Sequence, residues 1–140
     1  MSARDHALRE LDTKRLPGWP AGTIRKSKAS SAPPADARDL GLAENISAGV
    51  VKNLLLLQHL VQHYSGRNLK SVDVLVQKIL AIGLYQLRFL SRIPASAAVD
   101  EAVEQARRFG QTRAAGFVNA ILRKATREPS PPLPGRHAAR

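Results

Sequence analysis

Ser71 to Leu90, SVDVLVQKILAIGLYQLRFL, is the stretch whose reading decides the fold. Wound as a helix, it is apolar on nearly every face, with Asp73, Gln77 and Arg88 gathered in one narrow strip. A helix with so little surface to offer water must be wrapped by others, which predicts the central helix of a bundle. It is too polar to cross a membrane, and the other apolar segments are also broken by charge, as at Lys52, before reaching the ~20 residues of a span.

Upstream, apolar residues recur at Ala43, Ile46, Val50, Leu54, Leu57, Val61 and Tyr64. That spacing predicts one long helix or two consecutive ones, with Gly49 as a kink or a point of close packing. Downstream of SRIP, Val99, Ala102, Val103, Ala106 and Phe109 form an apolar stripe. Asp100, Glu101 and Glu104 load the first half of this helix with acid, Arg107 and Arg108 load the second, and Glu104 with Arg108 makes an i,i+4 pair. Gly110 is placed to end it. A last helix turns Ala114, Phe117, Val118, Ile121, Leu122 and Ala125 inward and closes on the basic group Arg123, Lys124 and Arg127. No alternating strand pattern appears, so the class is all-α, a compact helical bundle.

Proline marks the limits of the folded part. Pro17, Pro20, Pro33 and Pro34 on one side and Pro129, Pro131, Pro132 and Pro134 on the other bracket a segment that contains only Pro94. Three regions are expected: 1–34, a short basic amphipathic helix followed by a Pro/Gly/Ser/Lys-rich mobile linker; 35–127, the helical domain; and 128–140, a disordered basic tail. Trp19 within the linker is read as packed on the helices, since a large aromatic gains by burial.

The net charge of +11 is unevenly placed. Residues 1–30 hold 7 basic and 3 acidic groups, residues 31–106 hold 7 of each, and residues 107–140 hold 8 and 1. Two basic ends around a neutral centre point to a polyanionic partner. The chain has no cysteine, so thiolate metal sites and cysteine nucleophiles are excluded. The charged start lacks the apolar core of a signal peptide, and a cytoplasmic protein is expected. His59 and His63 have the spacing of two metal ligands on a helix, but HLVQH lacks the glutamate of the zinc-protease motif, and ordinary helix histidines are the better reading. Asp100, Glu101 and Glu104 are explained by the helix dipole as first-turn acids rather than as catalytic carboxylates. No cofactor is expected.

The elements ILAIGLYQL, the turn at Ile93 and Pro94, VDEAVEQARRFG and AGFVNAILRK, taken in order, resemble the NusB/RsmB family of helical RNA-associated domains. The resemblance covers residues 72–125 closely and 35–66 more loosely. It implies a NusB-like bundle and a non-enzymatic role with RNA, in one of two settings. The first is transcription antitermination and ribosomal RNA production, with a single-stranded leader RNA and a small-subunit ribosomal protein or other transcription factor as partners. The second is the N-terminal domain of RsmB-type rRNA cytosine methyltransferases, whose catalytic cysteine and Gly-rich cofactor loop this chain does not have. The chain's length suits the first setting. The wording of PASAAVDEAVEQARR and AGFVNAILRK, and Arg123 where the antitermination factors are typically acidic, suit the second. A protein-protein adaptor without RNA is the third reading.

Arg4, Arg9, Lys14, Arg15, Arg25, Lys26 and Lys28 are the candidate phosphate contacts at the N-terminal end, the region where the family holds RNA, and Arg113, Arg123, Lys124 and Arg127 are candidates for a second edge. Tyr64, Tyr85, Phe89, Phe109 and Phe117 all fall on core stripes, so base stacking on an aromatic platform is not expected. Asn119 is assigned either to a bond between helices or to solvent.

Overall fold

A computed structural model gives the fold, described for residues 2–128. Among these residues there are six α-helices and no β-strand: α1 (Ala3–Asp12), α2 (Ala37–Lys52), α3 (Leu54–Ser65), α4 (Val74–Phe89), α5 (Ala95–Arg108) and α6 (Ala115–Arg127), with short 3₁₀ turns at Leu69–Ser71 and Thr112–Ala114. Of the predicted tail at 128–140, all but Glu128 lies outside the described residues. No single helix among them is long and apolar enough to cross a membrane.

The central-helix reading of the opening stretch holds. Every residue of α4 from Leu75 to Gln86 is buried, and the other five α-helices all pack against it. Its start is later than the apolar run suggests: Asp73 is the N-cap, accepting from the amides of Leu75 (2.9 Å) and Val76 (3.3 Å). Asp73 therefore stabilises a helix end instead of lying on a polar strip.

Residues 37–65 form two helices bent by 83°. The corner is at Asn53, not Gly49. Gly49 is instead a point of close packing, because a Cβ there would lie 2.1 Å from the Tyr85 ring. That ring is held by a hydrogen bond from its hydroxyl to Asn45 Oδ1 (2.7 Å). The chain after α5 closes as a Schellman motif: Gln111 N–H reaches Ala106 O, Gly110 N–H reaches Arg107 O, and Gly110 takes φ +76°.

Two expectations for α5 are corrected. The helix begins at Ala95 behind Pro94, so Asp100, Glu101 and Glu104 lie beyond its first turn. The dipole does not account for them; each carboxylate faces a cation, Asp100 facing Arg123, Glu101 Arg108 and Glu104 Arg107. Nor does Arg108 pair with Glu104. It makes a two-pronged bond to the buried Asp5 on α1 (2.8 and 2.9 Å) and reaches Glu101 (2.5 Å). A buried carboxylate without a partner costs far more than a surface pair returns, so the guanidinium goes to Asp5. Burial alone would lower the pKa of Arg108; the bonds and charges of Asp5 and Glu101 outweigh it and raise it.

The core also differs at two aromatic residues. Phe89 is 42% exposed. Phe117 is half-buried, its ring 5.0 Å from the Arg67 guanidinium. Tyr64, Tyr85 and Phe109 are buried as expected.

The Gly49–Tyr85 contact yields a test. Gly49→Ala should lower stability by about 1–3 kcal/mol through overpacking. In a denaturant titration, a second change, Tyr85→Ala, should then cost less in the Gly49→Ala background than alone.

Candidate nucleic-acid interface

The basic residues of the N-terminal third are placed by a strap that composition alone marks as a loose linker. After α1, Pro17 and Gly18 make a tight turn in which Leu16 and Trp19 exchange backbone bonds of 2.9 and 2.8 Å, with Gly18 at φ +76°. Positive φ at the third position, with Pro before it, is the pattern of a type II turn. The turn delivers Trp19 to the core at 1% exposure, where its indole N–H donates to Gln77 Oε1 (2.8 Å). Gln58 Nε2 secures the same turn through Pro17 O (2.8 Å).

The strap then doubles back onto the end of α1. Asp12 accepts from the amides of Thr23 and Ile24 (2.9 Å each) and from the Thr23 hydroxyl. Lys78, fully buried on α4, donates to Asp12 Oδ1 (2.8 Å), Pro20 O (2.9 Å) and Thr23 Oγ1 (3.4 Å). Three acceptors thus meet the three N–H bonds of a buried ammonium. Burial alone would raise the Asp12 pKa, but the bonds from Lys78, Thr23 and Ile24 outweigh it and hold the carboxyl below its ordinary value. Farther on, Lys28 N–H bonds Arg108 O (2.8 Å) across the end of α5. The strap is therefore fastened on both sides of Arg25 and Lys26.

The eleven predicted contact residues separate into different environments. Arg4 and Arg9 are half-buried and turned to the fold. Arg4 donates to Gln86 (2.9 Å), and Arg9 donates to Ser27 Oγ (2.9 Å) and Ala29 O (3.1 Å) while lying over the Phe109 ring. Lys14 and Arg15 are exposed at the end of α1, Lys14 beside a hollow between α1 and α2 that also holds Lys52.

Arg25, Lys26 and Arg113 converge. Arg25 and Lys26 border a hollow of about 260 Å³, Arg113 one of about 350 Å³ with Arg67 and Phe117, and the two hollows share Asp73 and Gln111. Together they form one cleft between the strap, the start of α4 and the turn into α6. Asp73, a carboxylate in its wall, is already bound by the amides of α4. Lys28 is exposed along the same strap.

Arg123, Lys124 and Arg127 are not brought to this cleft. They sit at the far end of α6, on the order of 15–20 Å from Arg113 at 1.5 Å per residue. Arg123 lies 3.8 Å from Asp100 and Lys124 4.0 Å from Glu128. Asn119 accepts from Arg123 Nε (3.0 Å) in an exposed bond within α6, so it makes that bond on the outer side of its own helix and not one between helices. His59 and His63 have ring centroids 6.5 Å apart, and among the described residues no three potential metal ligands cluster.

Sequence reasoning missed Arg67 and Lys78. Nothing about Arg67, just past the helix-ending Gly66, marks it as a partner for Phe117. Lys78 carried a signal: a lysine on a helix with no exposed face must be buried with a partner.

A family model described as the NusB family matches residues 1–127, so the match includes α1 and the strap as well as the bundle. The chain belongs to the NusB family. Two relatives called ribosomal RNA small subunit methyltransferase B, from Pseudomonas putida and Vibrio cholerae, are each 40% identical, over 93 and 91 residues. Those alignments take in 66% and 65% of this chain but 21% of each relative. The transcription antitermination protein NusB of Xanthomonas axonopodis pv. citri is 30% identical over 93 residues, 66% of this chain and 58% of that protein. This NusB-family chain therefore spans about a fifth of the methyltransferases' length and under two thirds of the antitermination protein's. No solved structure matches it.

The clamp that presents the strap is testable. Asp12→Asn should destabilise the fold by about 3–5 kcal/mol, because it leaves the Lys78 ammonium buried without its counter-charge. The paired change Asp12→Asn with Lys78→Met should cost much less, because the buried ammonium is gone and the side-chain oxygen of the introduced asparagine can still accept from the strap. Because the Asp12 pKa is lowered by folding, its contribution is complete above the unfolded value of about 3.9 and is lost as pH falls through the folded value. In urea titrations the stability lost between pH 6 and pH 2 should be larger in the wild type than in Asp12→Asn.

Proposed function

We propose that this NusB-family protein is a non-enzymatic RNA-binding factor acting in transcription antitermination and ribosomal RNA production in the cytoplasm. The observation that carries the reading is the cleft in which Arg25 and Lys26 of the strap meet Arg67 and Arg113 from later in the chain. Four cations along a groove on a fixed scaffold suit a single-stranded phosphate backbone, where neutralising phosphates releases counterions. Lys14, Arg15 and Lys28 extend this basic surface, and Arg4 and Arg9 serve it by holding α1 and the strap in place. Arg123, Lys124 and Arg127 form a separate outer patch that a long RNA reaches only after filling the cleft. A small-subunit ribosomal protein or another transcription factor completes the assembly in this reading. The relative named as an antitermination protein supports it.

A second reading has its own support: identity to the methyltransferase relatives is 40%, against 30% for the antitermination protein. Under it, the same cleft guides a separate catalytic protein to ribosomal RNA. A neighbouring reading frame that encodes the catalytic part would favour this second reading.

Fluorescence anisotropy with a single-stranded ribosomal-leader RNA and a scrambled control, across a salt series, tests the proposal. Changing Lys26 and Arg113 together to Gln should flatten the dependence of log affinity on log salt by roughly 1.4, two phosphates at about 0.7 each on single strands. An unchanged slope removes the cleft from the RNA path. A leader preference that survives high salt supports the antitermination role. Equal loss of both RNAs as salt rises shifts specificity to a protein partner.

A further inference from the structure

Among the described residues two large apolar side chains are exposed, Leu55 at 70% and Phe89 at 42%, and they line the same hollow. It lies at the corner between α2 and α3, remote in sequence from the strap. The run Leu54–Leu57 explains its character. Leu54 and Leu57 turn into the core, whereas Leu55 faces water and Leu56 is half-buried. The outer face of an amphipathic helix ordinarily carries polar residues, so a leucine there adds nothing to the core. Phe89 is held in place by stacking on Tyr85, with ring centroids 5.2 Å apart.

The polar part of the hollow has one sign. Lys52 and Arg88 line it and no carboxylate does. It also includes the start of α3, whose N-cap Asn53 makes no side-chain capping bond and spends its amide on Gly49 O (2.8 Å). The first amides of α3 thus lack a side-chain acceptor at the positive end of the helix.

We propose that this corner docks a protein partner through a segment that places a carboxylate beside an apolar side chain. The carboxylate caps α3 next to Lys52, and the apolar group covers Leu55 and Phe89. A second copy of this chain fits poorly, because a two-fold contact would bring the same cations together in a protein of net charge +11. RNA makes no use of Leu55.

The test is a titration of the ¹⁵N-labelled full chain with a synthetic 12-residue peptide bearing one Asp followed by two Leu in a Gln/Ala background. Two control peptides carry Asn for the Asp, or Ser for both Leu. Shifts at the amides of Lys52, Leu54, Leu55, Leu56 and Phe89 are expected, with affinity falling about tenfold for Leu55→Gln and for either control. Leu55→Gln should bind RNA as the wild type does, which separates this surface from the RNA cleft. No shift up to about 1 mM peptide, shifts confined to other surfaces, or an equal response to the Asn peptide overturns the proposal. So does RNA that displaces the peptide from these amides, or a dimer in sedimentation that Leu55→Gln abolishes.

Discussion

The buried ammonium of Lys78 is the constraint on which the rest of the structure depends. An unpaired charge in the middle of a central helix would be intolerable, so the end of α1 and the strap must come to it. Asp12 supplies the counter-charge, Pro20 and Thr23 the remaining acceptors. One turn of α4 thereby fixes where the first 28 residues run. Its neighbour Gln77 extends the same control in both directions, accepting from Trp19 and donating to Leu69 O and Val72 O, both at 2.8 Å. The strap and the connection between α3 and α4 are held by adjacent residues, and these two segments line the two adjoining hollows of the cationic cleft.

That arrangement separates two uses of arginine that a charge count merges. Arg4, Arg9 and Arg108 are directed inward, toward Gln86, the strap and Asp5, and they fasten α1 and the strap to the bundle. Arg25, Lys26 and Arg113 are directed outward at places those fastenings define. A surface held this way does not lose strap entropy when a polyanion arrives. The inward arginines thus contribute to any binding at the cleft without touching the ligand.

The bundle was legible because its signals are local and repeated. Apolar spacing located α2 to α6, the all-round apolarity of α4 made it central, and Gly110 ended α5. The path of the strap was not legible because Pro, Gly, Ser and Lys describe a flexible chain unless something holds it, and what holds it lies about 60 residues away, at Gln77 and Lys78. The candidate site was legible as composition and not as geometry. Eleven basic residues were marked, but which of them share a cleft depends on the path of the strap and on the turn between α5 and α6. Arg67 and the exposed ring of Phe89 lay beyond periodicity altogether, since a helix pattern tells which side a residue is on and not what covers it.

The same distinction governs how charge changes in this protein are to be understood. Reversing Arg9 removes a bond to Ala29 O and a cation over Phe109, so it loosens the strap between Ile24 and Lys28, where Arg25 and Lys26 stand. Any RNA affinity lost with it would follow from displaced neighbours as much as from the missing charge. Arg113 is exposed and makes no comparable bond to the fold, so a change there alters the field of the cleft and little else. An electrostatic contact flattens the salt dependence of binding while leaving stability intact, whereas a scaffold contact lowers stability first. Measuring the two quantities on the same variants assigns each basic residue to one use or the other.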